Sequence, residues 1–224
     1  MSNWKVTAVL SSPLAGDAPY LDSLLEFEMA QRQGKANTIV RGSPAPPVGE
    51  IHLPLLRGGF GGVNGIPRCS APIVSPENVR HEHFAKRIAV EHAGLLSDNQ
   101  RLVVATGNSW TKSYRLPLKV SNVDRVCWFI AGSKRRSLKS LLKSVQSIGK
   151  KRSQGYGRIA SWEFAEVEHD WSWFAPCELG TLLMRVLPWC DDLPKNLIGF
   201  KRWFGAYAAP YWHPDRMRDI VVPV

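Results

Sequence analysis

Between Asp124 and Glu163 the chain carries no acidic residue, although Arg125, Lys134, Arg135, Arg136, Lys139, Lys143, Lys150, Lys151, Arg152 and Arg158 all fall there. These positions account for the whole net charge of +10, because the remaining Lys and Arg balance the 19 acids. Evenly spread charge serves solubility, whereas a local excess of this kind makes a field suited to a polyphosphate partner. Long apolar runs are missing too. A run such as Val126 to Ala131 is far too short to cross a bilayer, and no charged-then-apolar segment opens the chain, so a cytoplasmic protein without membrane contact is expected. Cysteine is scarce: Cys69, Cys127, Cys177 and Cys190 lack the close paired spacing of a zinc site and read as free structural thiols. His81 and His83 alternate like strand neighbours and His92 is at helical metal spacing from neither, so no metal and no other cofactor is expected.

Nucleotide-binding motifs are absent as well. Gly155-Tyr-Gly-Arg-Ile-Ala160 fits the loose dinucleotide fingerprint, but that motif leaves a strand and opens a helix, and here the order is reversed. A Walker loop needs a Lys-Ser or Lys-Thr after its second glycine, and none follows.

What is present is a helix that delivers a basic loop. Leu138, Leu141, Leu142, Val145 and Ile148 recur at helical spacing, which predicts a helix over Ser137 to Ile148 with Ser137 as N-cap and Gly149 as the left-handed stop. Lys139 and Lys143 then face water, and Lys134, Arg135 and Arg136 precede the helix. The loop Gly149-Lys-Lys-Arg-Ser-Gln-Gly-Tyr-Gly-Arg158 follows and enters a strand predicted over Ile159 to Phe164. Its glycines allow backbone amides to approach phosphates, Lys150, Lys151, Arg152 and Arg158 supply charge, and Tyr156 supplies a stacking face.

At 224 residues, 44% of them hydrophobic, the chain can bury a substantial core. Asn3 to Leu10 alternates as a strand; Asp17 and Pro19 open a helix carrying Leu21, Leu24, Leu25 and Met29 that ends near Gly34. Ala36 to Ser75 is dense in Gly and Pro, which predicts irregular chain with short strands around Glu50 to Leu55 and Ile66 to Ile73. A short helix is expected around Phe84, Ile88 and Val90, then strands over Arg101 to Thr106, Thr111 to Val120 and Val123 to Ala131, the last two joined at Ser121-Asn122. The expected class is α+β, a ferredoxin-like βαββαβ domain over residues 1–165 with an insertion at about 36–75. Residues 166–224 form an irregular extension packed on the same domain, rich in aromatics: Trp171, Trp173, Phe174, Trp189, Trp203, Phe204, Tyr207, Tyr211 and Trp212. These rings serve packing more readily than base stacking.

Several segments together carry a resemblance. The start with Ser12-Pro-Leu14 and Asp17, the helix with Leu21-Asp-Ser-Leu-Leu25, and the late helix before a glycine-rich basic loop resemble the RAMP proteins of CRISPR systems. Ile148 to Trp162, Arg185-Val-Leu-Pro188 and Ala209-Pro-Tyr-Trp212 are similar to the subunit that caps the 5′ end of the guide RNA in type IV complexes. The resemblance implies a non-catalytic scaffold that holds the 5′ handle of the guide (crRNA), abuts the backbone and large subunits, and sits near where target DNA is opened. It puts the RNA-binding loop on Gly149, Lys150, Lys151, Arg152, Gln154, Gly155, Tyr156, Gly157 and Arg158. It maps a protruding thumb to the 36–75 insertion, with Arg41, Arg57, Phe60 and Arg68 as candidates. Some relatives in the same slot cut repeat RNA without a metal. That alternative would draw its base from His52, His81 or His83 and its charge stabiliser from Lys86 or Lys112.

Overall fold

The computed structural model describes residues 2–33, 52–86 and 114–224. Arg41, Lys112, the strand expected over Arg101 to Thr106, the positions Ile88 and Val90, and the whole of the 36–51 stretch lie outside the described residues. No described helix is long and apolar enough to cross a membrane.

The chain opens with β1 (Ser2–Leu10) and β2 (Leu14–Ala15), then α1 (Leu21–Arg32). Next come β3 (Arg57–Phe60), β4 (Val63–Pro67), β5 (Ile73–Val74), β6 (Asn78–Lys86), β7 (Tyr114–Asn122) and β8 (Arg125–Ser133). The helix α2 (Arg135–Leu142) leads through a basic loop to β9 (Ile159–Val167). The C-terminal part holds β10 (Phe174–Cys177), β11 (Gly180–Leu183), β12 (Leu187–Pro188), β13 (Leu197–Ile198), β14 (Phe200–Ala206) and β15 (Met217–Pro223). The protein is therefore mixed and strand-rich, with mostly antiparallel pairing.

The central sheet runs β5-β8-β1-β9, every neighbouring pair antiparallel. β1 sits in its middle because Val6, Ala8 and Leu10 can be buried on one face, where they meet Val126, Trp128 and Ile130 of β8. Leu21, Leu24 and Leu25 of α1 and Leu138, Leu141 and Leu142 of α2 close the same core, so both helices cover one face of the sheet. Each fully buried leucine is worth about 1.5–3 kcal/mol of transfer free energy.

Several expectations are corrected. Glu77 to Lys86 holds no helix; β6 pairs residue by residue with β7 through nine positions, the alternation of Arg80, Glu82 and Phe84 giving one ribbon face. No strand covers the described end of Glu50 to Leu55, since the first strand after the gap starts at Arg57. There the hairpin β3–β4 turns on Gly61 and Gly62, both at positive φ (56° and 71°), the geometry that suits a two-residue turn. α1 begins after Tyr20 rather than at Asp17, whose carboxylate instead accepts from Lys119 Nζ at 3.2 Å. β7 and β8 are consecutive but belong to different sheets, and their junction falls at Val123-Asp124 rather than at Ser121-Asn122.

The C-terminal extension is not irregular. It forms two three-stranded sheets, β10-β11-β13 and β12-β15-β14. A second core joins them to the β3–β4 hairpin through Val63, Ile66, Trp173, Leu183, Leu187, Tyr207, Ile220 and Val221. Several of these strands are two to four residues long, too short to show the alternation that marks a strand.

Candidate nucleic-acid interface

The basic segment folds differently from its apolar spacing. α2 covers Arg135–Leu142, with Lys134 rather than Ser137 at its N-cap, and stops six residues short of Ile148. Val145 and Ile148 stay buried, yet they leave the helix because the chain is claimed by an antiparallel bridge. Ile148 N–H donates to Gly157 O (2.9 Å), Ile159 N–H donates to Gln146 O (2.9 Å), and Ser147 pairs with Arg158. Gly149 does take a positive φ, 82°, but its role is close approach: a Cβ there would lie 2.7 Å from Ala15 O.

The loop is clamped to the segment after β1. Lys150 N–H donates to Ala15 O (2.7 Å) and Gly157 N–H to Pro13 O (2.8 Å). Ser12 Oγ donates to Gly155 O (2.7 Å) and accepts from Arg158 N–H (2.8 Å). Arg152–Gln154 forms one 3-10 turn, with Lys151 in the left-handed region before it at φ 56°. These glycines thus admit the protein's own backbone, and the amides of Lys150, Gln154, Gly155, Gly157 and Arg158 are spent on internal bonds. The loop meets an anion through its side chains.

Those side chains divide into engaged and outward groups. Tyr156 packs on Ala15, Leu118 and Val120 and donates its hydroxyl to Glu82. The hydrogen bonds from Tyr156 and then Arg80 hold the Glu82 carboxyl below its usual 4.5, and the bond to Glu82 pushes the Tyr156 phenol up. Lys151 Nζ stands 3.1 Å from the centroid of the Phe84 ring, and the Lys150 stem lies against Gly16. Arg152, Gln154 and Arg158 are exposed, Arg152 leaning over Phe27 of α1 at 5.7 Å.

Lys134, Arg135, Arg136, Lys139 and Lys143 are all exposed. Arg135 and Arg136 occupy the first turn of α2, which has no acid, so their charges add to the positive end of the helix dipole. Arg135 is partly compensated by Trp4 and Phe164, at 5.5 Å and 6.0 Å. Arg136 lines a cleft of about 490 Å³ between α1 and α2, together with Arg32, His52, Ser137 and Ser140. Arg125, by contrast, pairs with Glu163 at 3.1 Å.

Of the thumb candidates, Arg41 lies outside the described residues. Phe60 packs against Trp173 and Phe174, and Arg68 is ion-paired to Asp170 and stacked 4.3 Å from the Trp173 ring. Arg57 lies on β3. Most described residues of the β6–β7 ribbon are exposed. His81, His83, Lys119 and Arg115 are exposed on the face opposite Leu118 and Val120. His81 and His83 therefore stand on the ribbon, and His52 lies in the cleft between the helices.

A second constellation has no signature in the sequence spacing. Asp22 on α1 and Arg185 before β12 form an ion pair at 2.8 Å with no exposed side-chain surface. Arg185 also donates to Cys69 O (3.0 Å), and Asp22 accepts from the Tyr211 hydroxyl (3.2 Å) and the Ala209 N–H (3.3 Å). Burial pushes the Cys69 thiol up to about 12, and all four cysteines are free. The only outward sign is an aspartate inside the apolar run Leu21-Asp-Ser-Leu-Leu25.

The described part of the chain is thus a mixed protein of mostly antiparallel sheets in which a clamped, acid-free basic loop and a cationic helix start concentrate positive charge. A family described as CRISPR type IV associated protein Csf3 matches residues 74–223, more than half of the chain, and the chain belongs to that family. The match takes in α2, the loop and Arg185, while α1 and the β3–β4 hairpin lie before it. No curated protein matches the chain.

Proposed function

We propose that the chain is a non-catalytic, guide-RNA-binding subunit of a type IV CRISPR ribonucleoprotein, capping the 5′ handle and contacting backbone and large subunits near the site of target-DNA opening. The observation that carries this reading is the loop Gly149–Arg158. Ten residues of basic, glycine-rich chain are held by backbone bonds to the Ser11–Gly16 segment, with Arg152 and Arg158 facing outward beside the cations of α2. A ferredoxin-like RAMP assignment is supported by the sheet order β5-β8-β1-β9 with a helix after β1 and another after β8. In that scheme the β6–β7 ribbon, inserted between β5 and β8, is a second candidate for the thumb beside the 36–75 insertion, in which Phe60 packs on the second core and Arg68 is paired to Asp170. The guide then reads target sequence by pairing, while this subunit reads handle shape and phosphate position.

Replacing Lys150, Arg152 and Arg158, the exposed cations of the loop, with alanine tests the assignment. If these cations neutralise about three phosphates, their removal lowers the slope of log affinity against log salt by roughly 2 on a single-stranded guide. An unchanged slope would assign the loop to solvent or to a protein neighbour.

A further inference from the structure

Two consecutive cations of the basic loop stand over rings from two different elements. Lys151 covers Phe84 of β6, its Nζ 3.1 Å from the ring centroid, and both residues are half-buried. That pair is closed. Arg152 stands over Phe27 of α1, but its guanidinium carbon is 5.7 Å from the centroid, close to the limit of about 6 Å for cation–ring attraction, and both residues are exposed. This second pair is open.

Phe27 belongs to neither core. α1 buries Leu21, Asp22, Leu24 and Leu25, while Phe27 keeps 47% of its surface in solvent. The unburied positions one turn away on its face, Ser23, Ala30 and Gln31, carry no charge, and the Ser23 hydroxyl is turned back to donate to Tyr20 O at 2.7 Å. The acids of α1 point elsewhere. Glu26 and Glu28 are each about 100° round the helix from Phe27, and Glu26 sits in the field of Arg57 and Arg216. Trp189, Trp203, Phe204 and Trp212 are exposed too, but of the exposed rings among the described residues Phe27 is the one beside a cation of the loop.

The chemistry of the pair selects its occupant. An uncharged planar face, next to a guanidinium with no acidic partner among the described residues, suits a planar group tethered to an anion. A nucleotide is such a group: unpaired bases stack on Phe rings, and the phosphates between them go to arginine. An apolar protein side chain would cover the ring and leave the Arg152 charge without a counter-ion.

We infer that Phe27 is a base-stacking position: one unpaired base of the bound RNA lies on its ring, with Arg152 on the adjoining phosphate. The inference rests on the RNA-binding reading and adds a demand for a base, where the loop alone demands only phosphates.

Binding is measured for the full chain and for Phe27→Ala, Phe27→Leu and Phe27→Trp on the guide RNA with its 5′ handle. It is repeated on RNAs that each lack one base of the handle and keep every phosphate. Phe27 lies outside both cores, so the variants fold as the wild type does. F27A should bind the intact handle about five- to 150-fold more weakly, the range for one stacked base. Its slope of log affinity against log salt should not change, because no charge is lost. F27L, apolar but without a ring, should fall with F27A, and F27W should bind as the wild type. At one position of the handle, removing the base should weaken the wild type by the same factor and leave F27A where it was.

A wild type that binds no RNA removes the RNA-binding reading and this inference with it. A wild type that binds RNA with F27A equally tight overturns the stacking alone. So does an F27L chain of wild-type affinity, which would assign the ring to apolar contact with a protein neighbour. Base removal that weakens wild type and F27A equally at every position overturns it as well.

Discussion

Asp22 and Arg185 are each fully enclosed, and neither charge would tolerate that position alone. Burial works against the Arg185 charge, but Asp22 at 2.8 Å more than offsets it and keeps the guanidinium protonated well above its usual range. Arg185→Met strands the carboxylate beside Tyr211 and Cys69 and should cost about 3–5 kcal/mol in urea unfolding, against much less for the double apolar replacement of Asp22 and Arg185. A loss below about 1 kcal/mol would mean the pair is hydrated in solution. Tyr156 and Glu82 make a weaker, pH-dependent pin. Glu82 is held below 4.5 in the fold, so its contribution is complete above that value and disappears as pH falls through the lower folded value. In an NMR titration Glu82 of the Tyr156→Phe variant should move back toward 4.5. An identical titration in both proteins would show that the hydroxyl bond is absent in solution.

At the scale of elements, the loop between α2 and β9 is a clamp, and Gly157 is its tightest point. A Cβ there would overlap the Ile148 carbonyl, with φ at 62°, whereas at Gly155, φ 90°, nothing lies within 4 Å. Gly155→Ala should therefore cost about 1–2 kcal/mol for the backbone alone, and Gly157→Ala clearly more. Proteolysis between Gly149 and Arg158 should accelerate in the Gly157 variant only; equal effects would argue that the loop is not held against Ser11–Gly16. β1 is legible in the sequence because Trp4, Val6, Ala8 and Leu10 alternate, β8 because it holds the apolar run Val126 to Ala131, and β9 because Trp162 and Phe164 alternate with polar or small neighbours, and so is the apolar stripe Leu138, Leu141, Leu142. The end of α2 is not, since Val145 and Ile148 continue the helical spacing and stay buried while their backbone serves a bridge to the strand after the loop. β6 reads as helix for a related reason: its hydrogen bonds go to β7, whose paired residues lie 28 to 44 positions further along the chain, and Phe84 alone gives a short window no period.

For the whole molecule, three of the segments that carry the resemblance, Leu21–Leu25, Arg185–Pro188 and Ala209–Trp212, meet in one place. Asp22, Arg185, Ala209 N–H and Tyr211 form a single buried network that ties α1 to the C-terminal sheets. Those motifs therefore report how the chain packs, and the loop reports what it meets. The charge excess is legible in composition because it is contiguous in sequence; which cations face outward is not, because Arg125, Lys151 and Arg68 are taken by Glu163, Phe84 and Asp170 from distant segments. The central claim is tested most directly by binding the purified protein to a short guide RNA with its authentic 5′ handle and to one with the handle scrambled. Both are measured at near-physiological salt without divalent ions, and the same samples are run on a denaturing gel. The account predicts tighter binding to the authentic handle with the RNA intact; equal affinity for both, or a cut within the repeat, would contradict it.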